Sequence, residues 1–206
     1  LTMLLASGVE IGTDEIVPII IDPDSANADL TRTVMLLNDY NTIKANLNFT
    51  NKKNKFFQTK ITREMLNYTL PVYNTNNQKF RSFIGLSEMS KDNKAMMKML
   101  FSDKNLDADM NVGFKGNPNI GSVVLNQIVQ TREFSDFANS FQQEDKIIIV
   151  SSIFGGTGAS GFPLLLKTLR KDSTMPNHAI INNAEIGALT LLPYFKLKKD
   201  DDSEID

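Results

Sequence analysis

Apolar residues recur along this chain in two spacings. Short runs of consecutive aliphatic residues stand at 16–21 (IVPIII), 147–150 (IIIV) and 186–192 (IGALTLL), each bounded by polar or glycine-rich turns. Such runs predict strands of a parallel sheet buried on both faces. Pro18 predicts that the first half of its run is irregular or unpaired. Apolar positions three and four apart predict helices. Leu30, Val34, Leu37 and Tyr40 share one face of a helix over 29–40. Met96, Met97, Met99 and Leu100 line another that opens at the cap residue Ser90. By its spacing the methionine stripe faces the core, and an adaptable binding face is the alternative. Helical stretches follow at 122–130, 133–141 and 162–171. Leu1 to Ala6 reads as a helix end stopped by Gly8, and Phe56 to Ile61 as a short β-like run.

The order strand, helix, helices, strand, helix, strand predicts an α/β fold with parallel pairing. From Asn41 the composition turns to Asn, Lys and Thr, which places an insertion at about 41–101 within one domain spanning 1–206. A net charge of -2 and a pI near 5.5 leave no basic excess, so neither nucleic acid nor an anionic membrane is indicated as a partner. No run approaches the roughly 20 apolar residues of a membrane span. The absence of cysteine excludes disulfides and thiol chemistry, and a cytoplasmic location is expected. The one histidine, His178, lies in a polar stretch and is expected to be an exposed loop residue; a Ser-His-Asp triad or a histidine-rich metal site is excluded with it. No residue is assigned a catalytic role.

The candidate chemistry lies where strands hand over to helices. Gly155, Gly156, Gly158 and Gly161 follow the 147–150 strand, so the backbone is expected to take positive φ and approach a ligand. The N–H groups from Gly155 through Thr157, Gly158 and Ala159 to Ser160 would then face an anion at the start of the next helix. Two further loops join it as candidates: DPDSAN, with Asp22, Asp24 and Asn27, after the first strand, and the turn Gly116, Asn117, Pro118 before a helix. Ligands of open parallel sheets sit beyond the carboxyl ends of the strands. Gly156 to Gly161 also spells G-x-G-x-x-G, the mark of an NAD(P)-binding oxidoreductase. That fingerprint needs an acidic residue at the end of the next strand to hold the ribose, whereas ALTLLPYF has none. A P-loop would need Gly-Lys-Ser/Thr after the glycines.

The combination resembles the nucleotide-binding domain of the tubulin and FtsZ superfamily. GNPNIG at 116–121 is similar to the GNPxIG of FtsZ, and FGGTG at 154–158 to the GGGTG of FtsZ and tubulins. IIIDPDSANADL at 19–30 resembles a tubulin loop carrying an acidic pair, and TLLPYF at 190–195 the strand end before the ribose loop. Within the superfamily the chain looks most like bacterial tubulin-like proteins of poorly defined role. The resemblance implies a Rossmann-like parallel sheet, GTP or GDP bound with Mg2+, Asp22 and Asp24 acting on the metal through water, and self-association of the complete protein as a nucleotide-switched GTPase. It also implies that the family's first strand and glycine loop, and its guanine-reading helix, lie outside Leu1 to Asp206, so that this fragment is inactive. Two features depart from the family. Phe154 replaces the first glycine of GGGTG, and Ala159-Ser160-Gly161 shifts the next glycine by one place. A nucleotide-binding scaffold that does not hydrolyse is therefore the alternative.

Overall fold

The computed structural model describes residues 1–24, 27–50, 54–63, 68–73, 75, 77–110, 114 and 116–194. They gather into two compact units, one formed by Leu1–Gly113 with Gln127–Phe137, the other by Phe114–Asn126 with the chain from Ala138 onward. The chain is mixed α/β, and its strands form parallel pairs, as the alternation predicts. Among the described residues the pairs are three separate two-stranded ladders. No helix among the described residues is long and apolar enough to cross a membrane.

In the first unit, α1 (Thr2–Ala6) ends before Gly8, which takes φ +80° and passes so close to Lys55 that a Cβ would lie 2.8 Å from its carbonyl oxygen. The 16–21 run divides around Pro18 into β1 (Glu15–Ile16) and β2 (Ile20–Ile21). Helix α2 (Ala28–Ala45) turns Leu37 and Tyr40 fully inward, with Leu30 and Val34 half-buried, the face its periodicity predicts. Leu37 and Tyr40, with Val34 against them, pack with Leu5, Ile61 and Tyr68 into a core of this unit. The expected strand over 56–61 shrinks to β3 (Lys60–Ile61), which pairs with β1, while β4 (Thr69–Leu70) pairs with β2. The cause is local: Phe57 takes φ +55°, and Lys44 Nζ donates to the Phe57 and Gln58 carbonyls at 2.6 and 2.7 Å. Tyr40 Oη donates to the Thr59 carbonyl at 2.8 Å, so α2 holds this backbone in place of a strand partner.

Beyond α3 (Phe80–Phe83), helix α4 (Lys91–Leu100) starts at the Ser90 cap as predicted, but buries none of its residues. Met99 is 88 % exposed, and Met96 and Leu100 lie open, which overturns the core-facing reading of the stripe. The fold behind it closes instead on Phe80, Phe101, Leu106 of α5 (Asp103–Leu106) and Met110, with Phe80 and Phe101 meeting edge-on at 4.9 Å.

The second unit is built on α6 (Pro118–Leu125), β5 (Ile147–Ser152), α8 (Thr157–Lys171) and β6 (Ile186–Leu191). Helix α7 (Arg132–Ser140) leads into it, capped by Thr131 Oγ1, which accepts the Phe134 N–H at 3.2 Å. β5 and β6 run parallel in a continuous register from Ile147 opposite Ile186 to Ser152 opposite Leu191. Ile147, Ile149 and Ser151 are half-buried on the side that α8 covers, whereas Ile148 and Val150 are exposed, and every β6 residue after Ile186 is exposed, so the expected burial on both faces holds for one face of β5 and for neither face of β6. His178 is no loop residue either: it opens the short α9 (His178–Ile181), whose cap Asn177 donates from Nδ2 to the Ala138 and Asn139 carbonyls at 3.0 and 3.1 Å.

Candidate functional site

The glycines of the 155–161 loop divide into two kinds, and the division defines the site. Only Gly155 takes positive φ, +90°, and a Cβ there would meet nothing within 4 Å. The other three are not left-handed, against the expectation for all four; they are glycines because neighbours press on them. A Cβ on Gly156 would lie 2.5 Å from Phe114 Cβ, one on Gly158 2.6 Å from the Ser152 carbonyl oxygen, and one on Gly161 3.3 Å from Leu125 Cδ1. Gly121 of α6 faces Ser160 Oγ so closely that a Cβ would collide with it. Small residues thus let α6 and α8 lie against each other, and let the first turn of α8 rest on the end of β5.

This packing joins two of the loops singled out in the sequence. Phe114 accepts the Asn117 N–H through its carbonyl at 2.7 Å and packs on Gly156, so the Gly116–Pro118 turn and the 155–161 loop lie side by side. Gly116 itself takes φ +74° in open space. Both loops lie in the second unit. Asp22, Asp24 and Asn27 belong to the first.

The two helix starts differ in what they offer an anion. At α6, Asn117 Oδ1 accepts from the Asn119 and Ile120 N–H groups at 3.0 and 3.2 Å, Pro118 has no N–H, and Gly121 donates to the Asn117 carbonyl. That terminus is capped by its own side chain. At α8 the cap position is Gly156 and no side chain caps it. The N–H groups of Thr157, Gly158 and Ala159 find no acceptor among the described residues, and Thr157 Oγ1 is equally free. Exposed first-turn N–H groups carry the positive end of the helix dipole, worth about half an elementary charge. They suit the oxygens of a phosphate. Ser160 and Gly161, named with this loop in the sequence, turn inward. Ser160 is 1 % exposed, and its Oγ donates to the Gly156 carbonyl at 2.5 Å, so its side chain braces the α6 contact.

Residues not named in the sequence complete the surroundings. Ser151, Ser152, Ile153 and Phe162 line, with Gly158 and Ala159, a cavity of about 130 Å³ between the end of β5 and the first turn of α8. Ser152 Oγ donates to the Phe154 carbonyl at 2.7 Å and fixes the loop's entry; Ser151 Oγ is buried without a partner. The sequence signal for both was their place at the end of an apolar run, just before the glycines. Phe154, which stands where the family pattern has glycine, meets the ring of Tyr194 edge-on at 6.0 Å, joining the loop to the segment after β6.

Around Asp22 the arrangement is that of a turn and a helix cap. Its Oδ1 accepts the Asp24 N–H at 2.9 Å and its Oδ2 the Asn27 Nδ2 at 3.2 Å, while Asn27 Oδ1 caps α2 by accepting the Asp29 N–H at 2.8 Å. Burial pushes the Asp22 carboxyl above its ordinary value, and the hydrogen bond from Asp24 opposes this. Among the described residues no three His, Cys, Asp or Glu side chains converge as a metal site. Comparison with family models, with curated proteins and with solved structures finds no match.

Proposed function

We propose that this chain binds the phosphates of a guanine nucleotide, GTP or GDP, at the N-terminus of α8, within a tubulin/FtsZ-type, Rossmann-like domain that switches and self-assembles as a GTPase when complete. The observation that carries the reading is the uncapped first turn of α8 behind left-handed Gly155, beside a helix of the same unit whose start is fully capped. Backbone N–H groups aimed at a phosphate each contribute about 0.3–1 kcal/mol at an exposed helix start and more when partly buried. The guanine identity rests on the resemblance of the loops. Against a dinucleotide, Leu192, Pro193 and Tyr194 follow β6, and none is the carboxylate that a ribose would need. In this reading the Gly116–Pro118 turn answers to the phosphate-bound loop through Phe114 on Gly156, an element that ligand loss can release. The alternative without hydrolysis rests on Phe154, whose ring is engaged with Tyr194.

The test is thermal shift and calorimetry with GTP, GDP, inorganic pyrophosphate and NADH in the presence of magnesium, on the chain and on Ala159→Glu. A ligand at about 100 times its Kd stabilises by about 2.7 kcal/mol, which raises the Tm of a chain of this size by roughly 5–10 °C. GTP and GDP are expected to give this shift and pyrophosphate to compete with them. The introduced carboxylate would lie in the first turn, favourable to the helix dipole by about 0.3–1 kcal/mol and repulsive to phosphate. The variant is therefore expected to melt no lower than the parent and to lose the shift. A response to NADH with none to GTP would overturn the reading in favour of a dinucleotide site, and no response to any of the four would remove the phosphate site itself.

A further inference from the structure

We propose that the open face of the β5–β6 ladder is a self-complementary contact that joins two copies of this chain into a closed, two-fold pair. The proposal is independent of the phosphate site. Parallel strands are almost always covered on both faces, because their backbone and aliphatic side chains are poorly suited to water. Here α8 covers one face of β5 and the other is open: Ile148 is 73 % exposed, Val150 62 % and Leu189 58 %. Leu191, opposite Ser152, extends the same apolar surface. Monomeric proteins seldom leave a contiguous patch of this kind bare.

A second copy is the occupant for three reasons. The first is area: at half to three-quarters exposure, these side chains present on the order of 500 Å² of apolar surface before their polar surroundings are counted. That approaches the roughly 800 Å² per partner of a standard interface. The second is relief. In the parallel register Val150 stands opposite Leu189, whereas Ile148 stands opposite Gly187, so a ridge lies beside a dent on one surface. A two-fold axis through the face would set the Ile148 knob of each copy over the Gly187 dent of the other, as an isologous contact requires. The third is charge. The positions on the face itself, Ile148, Val150, Ser152, Gly187, Leu189 and Leu191, carry no charged side chain to repel an identical surface or select a charged one.

Sedimentation velocity and equilibrium on the chain from 1 to about 100 μM give the test, with circular dichroism as the check on folding. A dimer that saturates at two copies is expected, with a Kd in the micromolar range. Val150→Lys and Leu189→Lys change exposed side chains, and each is expected to weaken the dimer at least tenfold. Should either fail to fold, Gly187→Leu keeps the proposal testable. A Cβ at 187 would lie 3.8 Å from Ile148 Cγ1, an ordinary contact, so the fold accepts it while the dent is filled. Met99→Lys on α4 is the control and is expected to leave the dimer intact. A monomer at 100 μM would overturn the proposal, as would open-ended assembly, a dimer that survives all three β5–β6 substitutions, or one that is lost in Met99→Lys.

Discussion

A single methyl group at position 158 probes how α8 is seated on β5. In Gly158→Ala the new Cβ would lie 2.6 Å from the Ser152 carbonyl oxygen and 2.9 Å from both its nitrogen and its Oγ. The oxygen and nitrogen are backbone atoms of a residue held in register with Leu191, so they cannot swing aside. Relief requires the first turn of α8 to lift away from the strand, opening its contacts with β5 and α6. Overpacking of this kind costs about 1–3 kcal/mol, and the better helix propensity of alanine returns at most about 1 kcal/mol, less at a helix start. The net loss is about 1–2 kcal/mol, which for a chain of this length lowers Tm by roughly 2–8 °C. Gly187→Ala is the internal control: its Cβ would make only ordinary contacts, at 3.8 Å and beyond, and it is expected to be neutral or stabilising by up to about 1 kcal/mol. Far-UV circular dichroism melts of both variants beside the parent provide the assay. If Gly158 were kept only to let a ligand approach, alanine would be harmless there, since this glycine is not left-handed. A Gly158→Ala protein that melts at or above the parent would refute the packing argument.

Asn117→Ala removes the cap of α6 and is expected to cost about 1 kcal/mol, while leaving GTP affinity within about threefold, because that side chain serves its own helix; denaturant unfolding and calorimetry on the variant check both. Asp22 sets a pH dependence of known sign. Burial raises its folded pKa above 3.8, so the native state holds the proton more tightly, and the carboxyl's contribution to stability is full below pH 3.8 and lost as pH rises through the raised value. Asp22→Asn is expected to remove that component, seen as a flatter profile of unfolding free energy against pH; a profile unchanged from the parent would contradict it.

The sequence showed helix faces more clearly than it showed what covers them. Leu30, Val34, Leu37 and Tyr40 were legible because an 18-residue helix repeats its period often enough to fix its inner face. Met96 and Met99 of α4 belong to a comparable period, yet lie open, since periodicity defines a stripe and says nothing about its partner. The glycine-rich loop was visible as a loop, and its two roles were not: a glycine required by φ and one required by a neighbour are the same letter. Gly155 is of the first kind and Gly158 of the second, and only the position of Ser152 tells them apart. Asn117 was singled out with its loop, and its oxygen caps α6, which no spacing rule distinguishes from a ligand contact. The shortened β3 was hidden for a similar reason, because Lys44 and Tyr40 reach the backbone just before it, at Phe57 and Thr59, from 13 and 19 residues away.

In the proposed function, phosphate meets the bare N–H groups at the start of α8. Amide proton–nitrogen correlation spectra of the labelled chain, titrated with GTP and with inorganic pyrophosphate, test it residue by residue. Progressive, saturable shifts are expected at Gly155, Thr157, Gly158 and Ala159, with Asn119 and Ile120 held still by the Asn117 cap. Resonances at 155–159 that stay fixed while 119 and 120 move, or that stay fixed throughout, would contradict it.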